Sequence, residues 1–147
     1  MKQVSFASLA YEHKRKKTRK EKFLSEMEQV VPWKRLKQKV KRYYAKGKGG
    51  RPPMPLEMML RIYLMQQWFA LSDPAMEDAL YDIESMRRFA GIDLSTDTVP
   101  DETTLLNFRH LLERHHLGEK FFVEIGKHLE AQGLSVQQGT IVDAASW

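Results

Sequence analysis

One acidic side chain near the end of the sequence has the surroundings of a metal ligand. Asp143 follows Ile141 and Val142, and Gly139 precedes them at a position typical of a turn. β-Branched residues suit a pleated strand, so residues 139–143 are predicted to form a short buried strand with the carboxylate at its mouth. A carboxylate placed there can bind a divalent cation. On the residues alone, a core strand that ends in a surface aspartate is the simpler alternative.

A second set of chemically useful side chains repeats at helical spacing between residues 101 and 115. At about 100 degrees per residue, Leu105, Phe108, Leu111 and Leu112 fall on one face. The opposite face carries the donor-rich set Thr103, Asn107, His110 and Arg114. Asn pairs with adenine and Arg with guanine or phosphate, so this helix is the best candidate for reading DNA bases. Asp101 and Glu102 oppose this interpretation because they repel phosphate, and an ordinary solvated face is the alternative.

Positive charge is concentrated in the first third of the chain. Residues 1–53 hold 17 Lys or Arg against 4 Asp or Glu, whereas residues 54–147 hold 7 against 15. This asymmetry favours a basic arm that contacts a polyanion, usually DNA or RNA. We therefore expect duplex DNA to be bound mainly through residues 1–53. The alternative is a solvated tail.

The cations expected to contact phosphate lie on a predicted helix from about Trp33 to Tyr44 and in the linker after it: Lys34, Arg35, Lys37, Lys41, Arg42 and Arg51. Trp33, Tyr43 and Tyr44 are interleaved with them and could stack on unpaired bases. Their helical spacing favours core packing for Trp33 and Tyr43 instead.

Capping and turn residues predict a chain of helices around these sites. The first predicted helix begins at the capping box of Thr18 and Glu21 and ends at Pro32. Further helices are predicted from Pro55 to about Leu71, from a cap at Ser72 or Asp73 onward, from a cap at Ser85 to Gly91, and from Glu119 to Gln132. The run from Lys14 to Lys22 is expected to begin without regular structure. The predicted domains are a basic helical arm and linker at 1–53, a helical core at 54–133, and the start of a further domain at 134–147.

Composition excludes several other classes. Cysteine is absent, so neither a disulfide framework nor a thiolate metal site is available. No apolar stretch approaches the roughly 18 residues of a membrane span, and the first residues lack the apolar segment of a signal peptide. We expect a cytoplasmic protein without a membrane partner.

Five segments in fixed order carry a resemblance to a known family: RPPMPLEMMLRIYLMQQWF (51–69), LSDPAMEDALYD (71–82), RRFAGIDL (87–94), PDETTLLNFRHLLE (100–113) and GTIVDA (139–144). Together they resemble the amino-terminal third of the insertion-sequence-five family of bacterial DDE transposases, from about Phe23 onward. The resemblance implies that Asp143 is the first of three acids that bind divalent metal, Mg²⁺ or Mn²⁺ in the full-length parent. The other two acids have no counterpart here. The family tends to have Thr and apolar residues after this Asp-Ala pair, whereas Ala145, Ser146 and Trp147 follow here, which indicates a truncation.

The resemblance therefore implies a mainly α fold, with a helix-turn-helix-like multi-helix DNA-binding domain followed by the first β-strand of a truncated ribonuclease-H-like catalytic domain. The expected function is recognition of insertion-element terminal repeats. No strand cleavage and no bound cofactor are expected for this chain alone, because one carboxylate cannot hold two metals. Expected partners are DNA and a second copy or the full-length transposase, in a nucleoid-associated setting. A helix-turn-helix transcriptional regulator and a nonspecific basic nucleic-acid-binding protein are the alternatives.

Overall fold

The described part of the computed structural model, residues 6–44 and 53–133, consists of helices joined by short connections. The helices are α1 (Phe6–Glu12), α2 (Arg19–Val30), α3 (Trp33–Lys41), α4 (Leu56–Trp68), α5 (Asp73–Asp82), α6 (Glu84–Ala90), α7 (Glu102–Arg114) and α8 (Leu117–Ala131). Within those residues no strand is present, which confirms the mainly α prediction. The predicted strand at 139–143, Arg51 and Asp143 lie outside the described residues.

Local capping explains where several helices begin. Thr18 and Glu21 form the predicted capping box at the start of α2. Ser72 accepts a hydrogen bond from the backbone N–H of Ala75 and caps α5, and Asp101 accepts one from Thr104 at 2.8 Å and caps α7. Gly91 ends α6 in the left-handed conformation with φ 82°.

Other helix boundaries differ from the prediction. The cap of α6 is Ile83 rather than Ser85, because the Arg87 N–H bonds the Ile83 carbonyl and Ser85 lies inside the first turn. Helix α8 begins at Leu117 rather than Glu119, since the Leu117 side chain is buried in the core. Helix α3 ends at Lys41, before the predicted limit at Tyr44. Helix α4 ends at Trp68, before the predicted limit at about Leu71. Helix α1 was not predicted, because it buries no residue and therefore has no apolar periodicity in the sequence.

Helix α4 forms the centre of the core, and its side chains are buried nearly all round. Phe23 of α2 packs edge-on against Trp68, with 5.4 Å between ring centroids. Helices α3, α6 and α7 also pack on α4. The helices on both sides of residue 53 thus contribute to one buried cluster. The division into domains at that position stays a prediction.

A buried guanidinium joins three helices to α4. Arg61 contacts Glu28 of α2 at 2.7 Å and Glu57 at 3.1 Å, and donates to the Phe89 carbonyl of α6 at 3.2 Å. Its guanidinium carbon lies 4.3 Å from the centre of the Trp33 ring of α3. An arginine can do this because its planar fork bonds at the edge while its faces stack. The orientation of α2 and α3 on α4 therefore depends on Arg61.

No helix within 6–44 and 53–133 is both long and apolar enough to cross a membrane.

Candidate nucleic-acid interface

Helix α7 presents the predicted polar stripe to solvent. Thr103, Asn107, His110 and Arg114 are all exposed. The opposite face buries Leu105, Phe108 and Leu112, as the spacing predicted, while Leu111 is only partly buried.

Charge is divided along this stripe. Acids surround the amino-terminal end, where the backbone N–H of Glu102 donates to the Glu77 carboxylate at 2.6 Å beside the Asp101 cap. Those carboxylates repel a phosphate backbone. Arg114 lies exposed at the opposite end, so the stripe is acidic at its amino-terminal end and carries a cation at its carboxyl-terminal end.

An ion pair on the flank of α7 fixes its position. Arg109 contacts the Asp73 carboxylate at 2.7 Å, and Gln66 donates to the same carboxylate at 2.6 Å. Burial opposes ionisation of Asp73, but the hydrogen bonds from Arg109 and Gln66 outweigh it and lower its pKa. Arg109 also pairs with Glu113 one turn away at 3.2 Å. The spacing of Arg109 and Glu113 is a sequence signal for a helical pair, but Asp73 is 36 residues away and no local pattern predicts it.

Several cations of α3 have protein partners. Lys37 lies 2.9 Å from Glu57, and its hydrogen bond is the main reason that the pKa of Glu57 is lowered. Arg35 approaches Glu124 of α8 at 3.9 Å and remains largely exposed, so this contact is weak. Lys37 therefore has a role in packing α3 on α4. Lys34 and Lys41 are exposed and form no ion pair with another described residue.

The carboxyl-terminal end of α3 meets the carboxyl-terminal end of α7. The Tyr43 ring stacks on His115 with 3.8 Å between centroids and 17° between planes. Arg42 also contacts Tyr43, with its guanidinium carbon 4.7 Å from the Tyr43 centroid and a hydrogen bond to the Tyr43 hydroxyl. Because Arg114 adjoins His115, the two predicted DNA-contact sets are joined here. Sequence reasoning missed His115, since nothing local links it to Tyr43.

The other aromatic side chains of the basic segment are used for packing. Tyr44 lies edge-on to Phe108 at 5.8 Å and donates to the Met54 carbonyl. Trp33 donates from its indole nitrogen to the Glu28 carbonyl at 3.2 Å. For Trp33 and Tyr43 the structure agrees with the core-packing alternative rather than with rings free to stack on bases.

The described residues offer no ready metal site. Among residues 6–44 and 53–133, no three His, Asp or Glu side chains are grouped so that they could hold an ion. The predicted ligand Asp143 is outside these ranges, as is the predicted phosphate contact Arg51.

The family model described as Transposase domain (DUF772) matches residues 11–111, which is more than half of the chain. The chain belongs to this transposase-domain family. The matched residues include α2 through most of α7 and thus the Tyr43 side of the junction. A comparison with solved structures gives no match.

Proposed function

We propose that this chain is the DNA-binding part of a transposase of the insertion-sequence-five DDE type and that it binds the terminal repeats of its element. The observation that carries the proposal is the Tyr43–His115 stack. It brings Arg42 of the basic segment to the end of α7 where Arg114 extends the exposed polar stripe. A cationic edge beside a donor-rich helix face is the combination that duplex recognition requires.

Each group has a distinct role in this proposal. Asn107 pairs with an adenine edge, Arg114 takes guanine or phosphate, and Thr103 and His110 contact the groove next to them. Lys34, Lys41 and Arg42 follow the phosphate backbone. The acids near Asp101 exclude phosphate from the amino-terminal end of α7, which sets the direction in which the helix enters the groove.

The connection before α7 is too long for a standard helix-turn-helix motif. Residues 91–101 separate α6 from α7, which is longer than the turn of about three or four residues in that motif. We therefore propose α7 as a groove-reading helix without assigning the standard helix-turn-helix to it.

The catalytic part of the proposal rests on Asp143. In a DDE reaction, bound Mg²⁺ or Mn²⁺ would supply the activation of a water or a 3′ hydroxyl for attack on a phosphodiester. Asp143 would supply one carboxylate, and a full set of acids is needed to hold two cations. We propose that this chain of 147 residues binds DNA without cutting it. The binding would take place in the cytoplasm, at the nucleoid, and would involve a second copy of the chain or the full-length enzyme.

Selection from random-sequence duplexes followed by substitution tests the proposal. The selected sequence should match the terminal repeats of the element. On that sequence Asn107→Ala and Arg114→Ala should each weaken binding by about 1 to 3 kcal/mol, and by less on random DNA. Gln67→Ala removes an exposed amide from α4 and serves as the matched control.

The other outcomes identify other functions. Unchanged affinity in both variants would remove α7 from the interface. Equal losses on selected and random duplexes would make both residues backbone contacts. Selection of a palindromic promoter sequence would favour a transcriptional regulator, and no enrichment with steep salt dependence would favour nonspecific binding.

A further inference from the structure

A second group of cations lies apart from the interface between α3 and α7. It consists of Arg15, Lys16, Lys17, Arg19 and Lys22, called here the N-terminal basic surface. All five side chains are exposed, and none forms an ion pair with another described residue. Five uncommitted cations within eight residues form a concentrated positive patch.

The backbone that carries these cations is held in place. The Lys14 ammonium donates to the Lys16 carbonyl at 2.7 Å and pairs with Glu21. Glu21 in turn completes the capping box with Thr18. Burial opposes the charge of Glu21, but its hydrogen bonds from Lys14 and Thr18 outweigh this and lower its pKa to about 2. The turn is therefore ordered by residues other than the five cations.

The position of the cations at a helix start is itself unfavourable for the isolated chain. Arg19, Lys20 and Lys22 lie in the first turn of α2, where the aligned peptide dipoles already give a partial positive charge. Only Glu21 offsets them. A phosphate group placed there would interact favourably with both the side chains and the helix end.

The two basic surfaces lie at opposite ends of α4. Phe23 near the start of α2 packs on Trp68 and Phe69, beyond which Lys20 covers the Phe69 ring at 5.2 Å. At the other end, Tyr44 donates to the Met54 carbonyl just before α4. With 13 residues in α4 and a rise of about 1.5 Å per residue, the two ends are roughly 20 Å apart.

Acidic side chains lie on the surface of α2 between these ends. Glu26 and Glu28 are exposed there, and the Glu28 carboxylate keeps nearly half of its surface in solvent while it contacts Arg61. A phosphate backbone that ran continuously from one basic surface to the other would meet these carboxylates. Among residues 6–44, the positive charge is therefore divided between two separate surfaces.

We infer that the N-terminal basic surface binds the phosphate backbone of a second duplex segment, separate from the one held between α3 and α7. The inference rests on the proposed DNA binding and adds a site to it. The contact carries no base information, because lysine and arginine on phosphate position a duplex without reading its sequence.

A bridging assay tests the second surface. The selected duplex is fixed to beads, the protein is bound, and a free fluorescent random-sequence duplex is added. The variant Lys16→Gln, Lys17→Gln, Arg19→Gln, Lys22→Gln should keep affinity for the fixed duplex within about threefold and lose at least about tenfold of the captured fluorescence. The salt slope for capture should fall by about 0.9 for each phosphate that the variant no longer neutralises. Unchanged or raised thermal stability of this variant shows that it is folded, because cations at a helix start are unfavourable.

A variant with four cations removed from the other surface provides the matched control: Lys34→Gln, Lys41→Gln, Arg42→Gln, Arg114→Gln. It should lose binding to the fixed duplex, and if it does not, the proposed function fails instead. Absence of capture by the unmodified protein would overturn the inference. Capture that persists in the variant without the N-terminal basic surface would also overturn it, since association between copies of the chain would then hold the two duplexes together. Equal loss of fixed-duplex binding in both variants would show one continuous surface and would also overturn it.

Discussion

The ion pair on the flank of α7 gives a stability prediction that depends on pH. Arg109→Leu removes the guanidinium that contacts Asp73 at 2.7 Å. The side chains of Arg109 and Asp73 are 30% and 12% exposed, so the pair is intermediate between a surface pair worth under about 1 kcal/mol and a buried pair whose rupture costs about 3 to 5 kcal/mol. Gln66 still donates to the carboxylate. We expect a loss of about 2 to 3 kcal/mol in the free energy of unfolding at neutral pH.

The loss should shrink in acid. In the unmodified protein the lowered pKa of Asp73 adds stability above the usual Asp pKa of about 3.9, and this stability disappears as pH falls through the lowered folded value. In the variant the hydrogen bond and the charge of Arg109 are lost, so the pKa of Asp73 rises from its lowered value. A raised carboxyl pKa removes stability at neutral pH and has no effect once the group is protonated in both states. The difference between the two proteins is therefore largest near pH 7 and falls below about pH 4.

Urea unfolding at several pH values measures this difference. Asp73→Asn is the matched partner, because it removes the charge that Arg109→Leu leaves behind. The double variant should be more stable at neutral pH than Arg109→Leu alone. A pH-independent loss, or no recovery in the double variant, would refute the assignment of the effect to a stranded carboxylate. A loss below about 1 kcal/mol would reduce the interaction to an ordinary surface pair.

Two further predictions concern glycine geometry and metal-dependent cleavage. Gly91→Ala should destabilise the chain by about 1 to 2 kcal/mol, because alanine at φ 82° is strained although no atom lies within 4 Å of the added Cβ. Gly126→Ala, in the open middle of α8, should instead stabilise the chain by up to about 1 kcal/mol. Thermal unfolding measures both changes, and a change of the same sign in the two variants would contradict the argument from backbone strain. Incubation of the 147-residue chain with Mg²⁺ or Mn²⁺ and labelled end DNA should give no nicking, and Asp143→Ala should leave DNA affinity unchanged. Cleavage that disappears in Asp143→Ala would mean that copies of the chain assemble a complete site.

Predictions from sequence succeeded where a few neighbouring residues decide the structure. The Thr18 and Glu21 capping box, the Ser72 cap and the Gly91 stop all depend on contacts within a few residues. The exposed stripe of α7 follows from helical periodicity alone. The start of α8 did not follow, because burial of Leu117 brings the helix forward and leaves His116 with φ 53°.

The residues of the candidate interface could be predicted from the sequence, but their positions relative to one another could not. Composition identifies Lys37 as one more cation of a basic helix, yet its position opposite Glu57 comes from the packing of α3 on α4. The meeting of Tyr43 with His115 has the same origin. Charge counts likewise combine the N-terminal basic surface with α3, although the length of α4 separates them.

The placement of α7 links stability to the proposed recognition. Asn107 and His110 are exposed, while Arg109 between them turns toward Asp73. Near the helix end, His115 is held by Tyr43. One anchor comes from α5 and the other from the segment after α3, so a shift of either would rotate the polar stripe without changing any residue on it. Base reading by Asn107 should consequently weaken in Arg109→Leu even at temperatures where the variant is folded. Affinity is measured on selected and on random duplexes: rotation of the stripe should lower the affinity for the selected duplex more, whereas a general loss of binding would lower both equally.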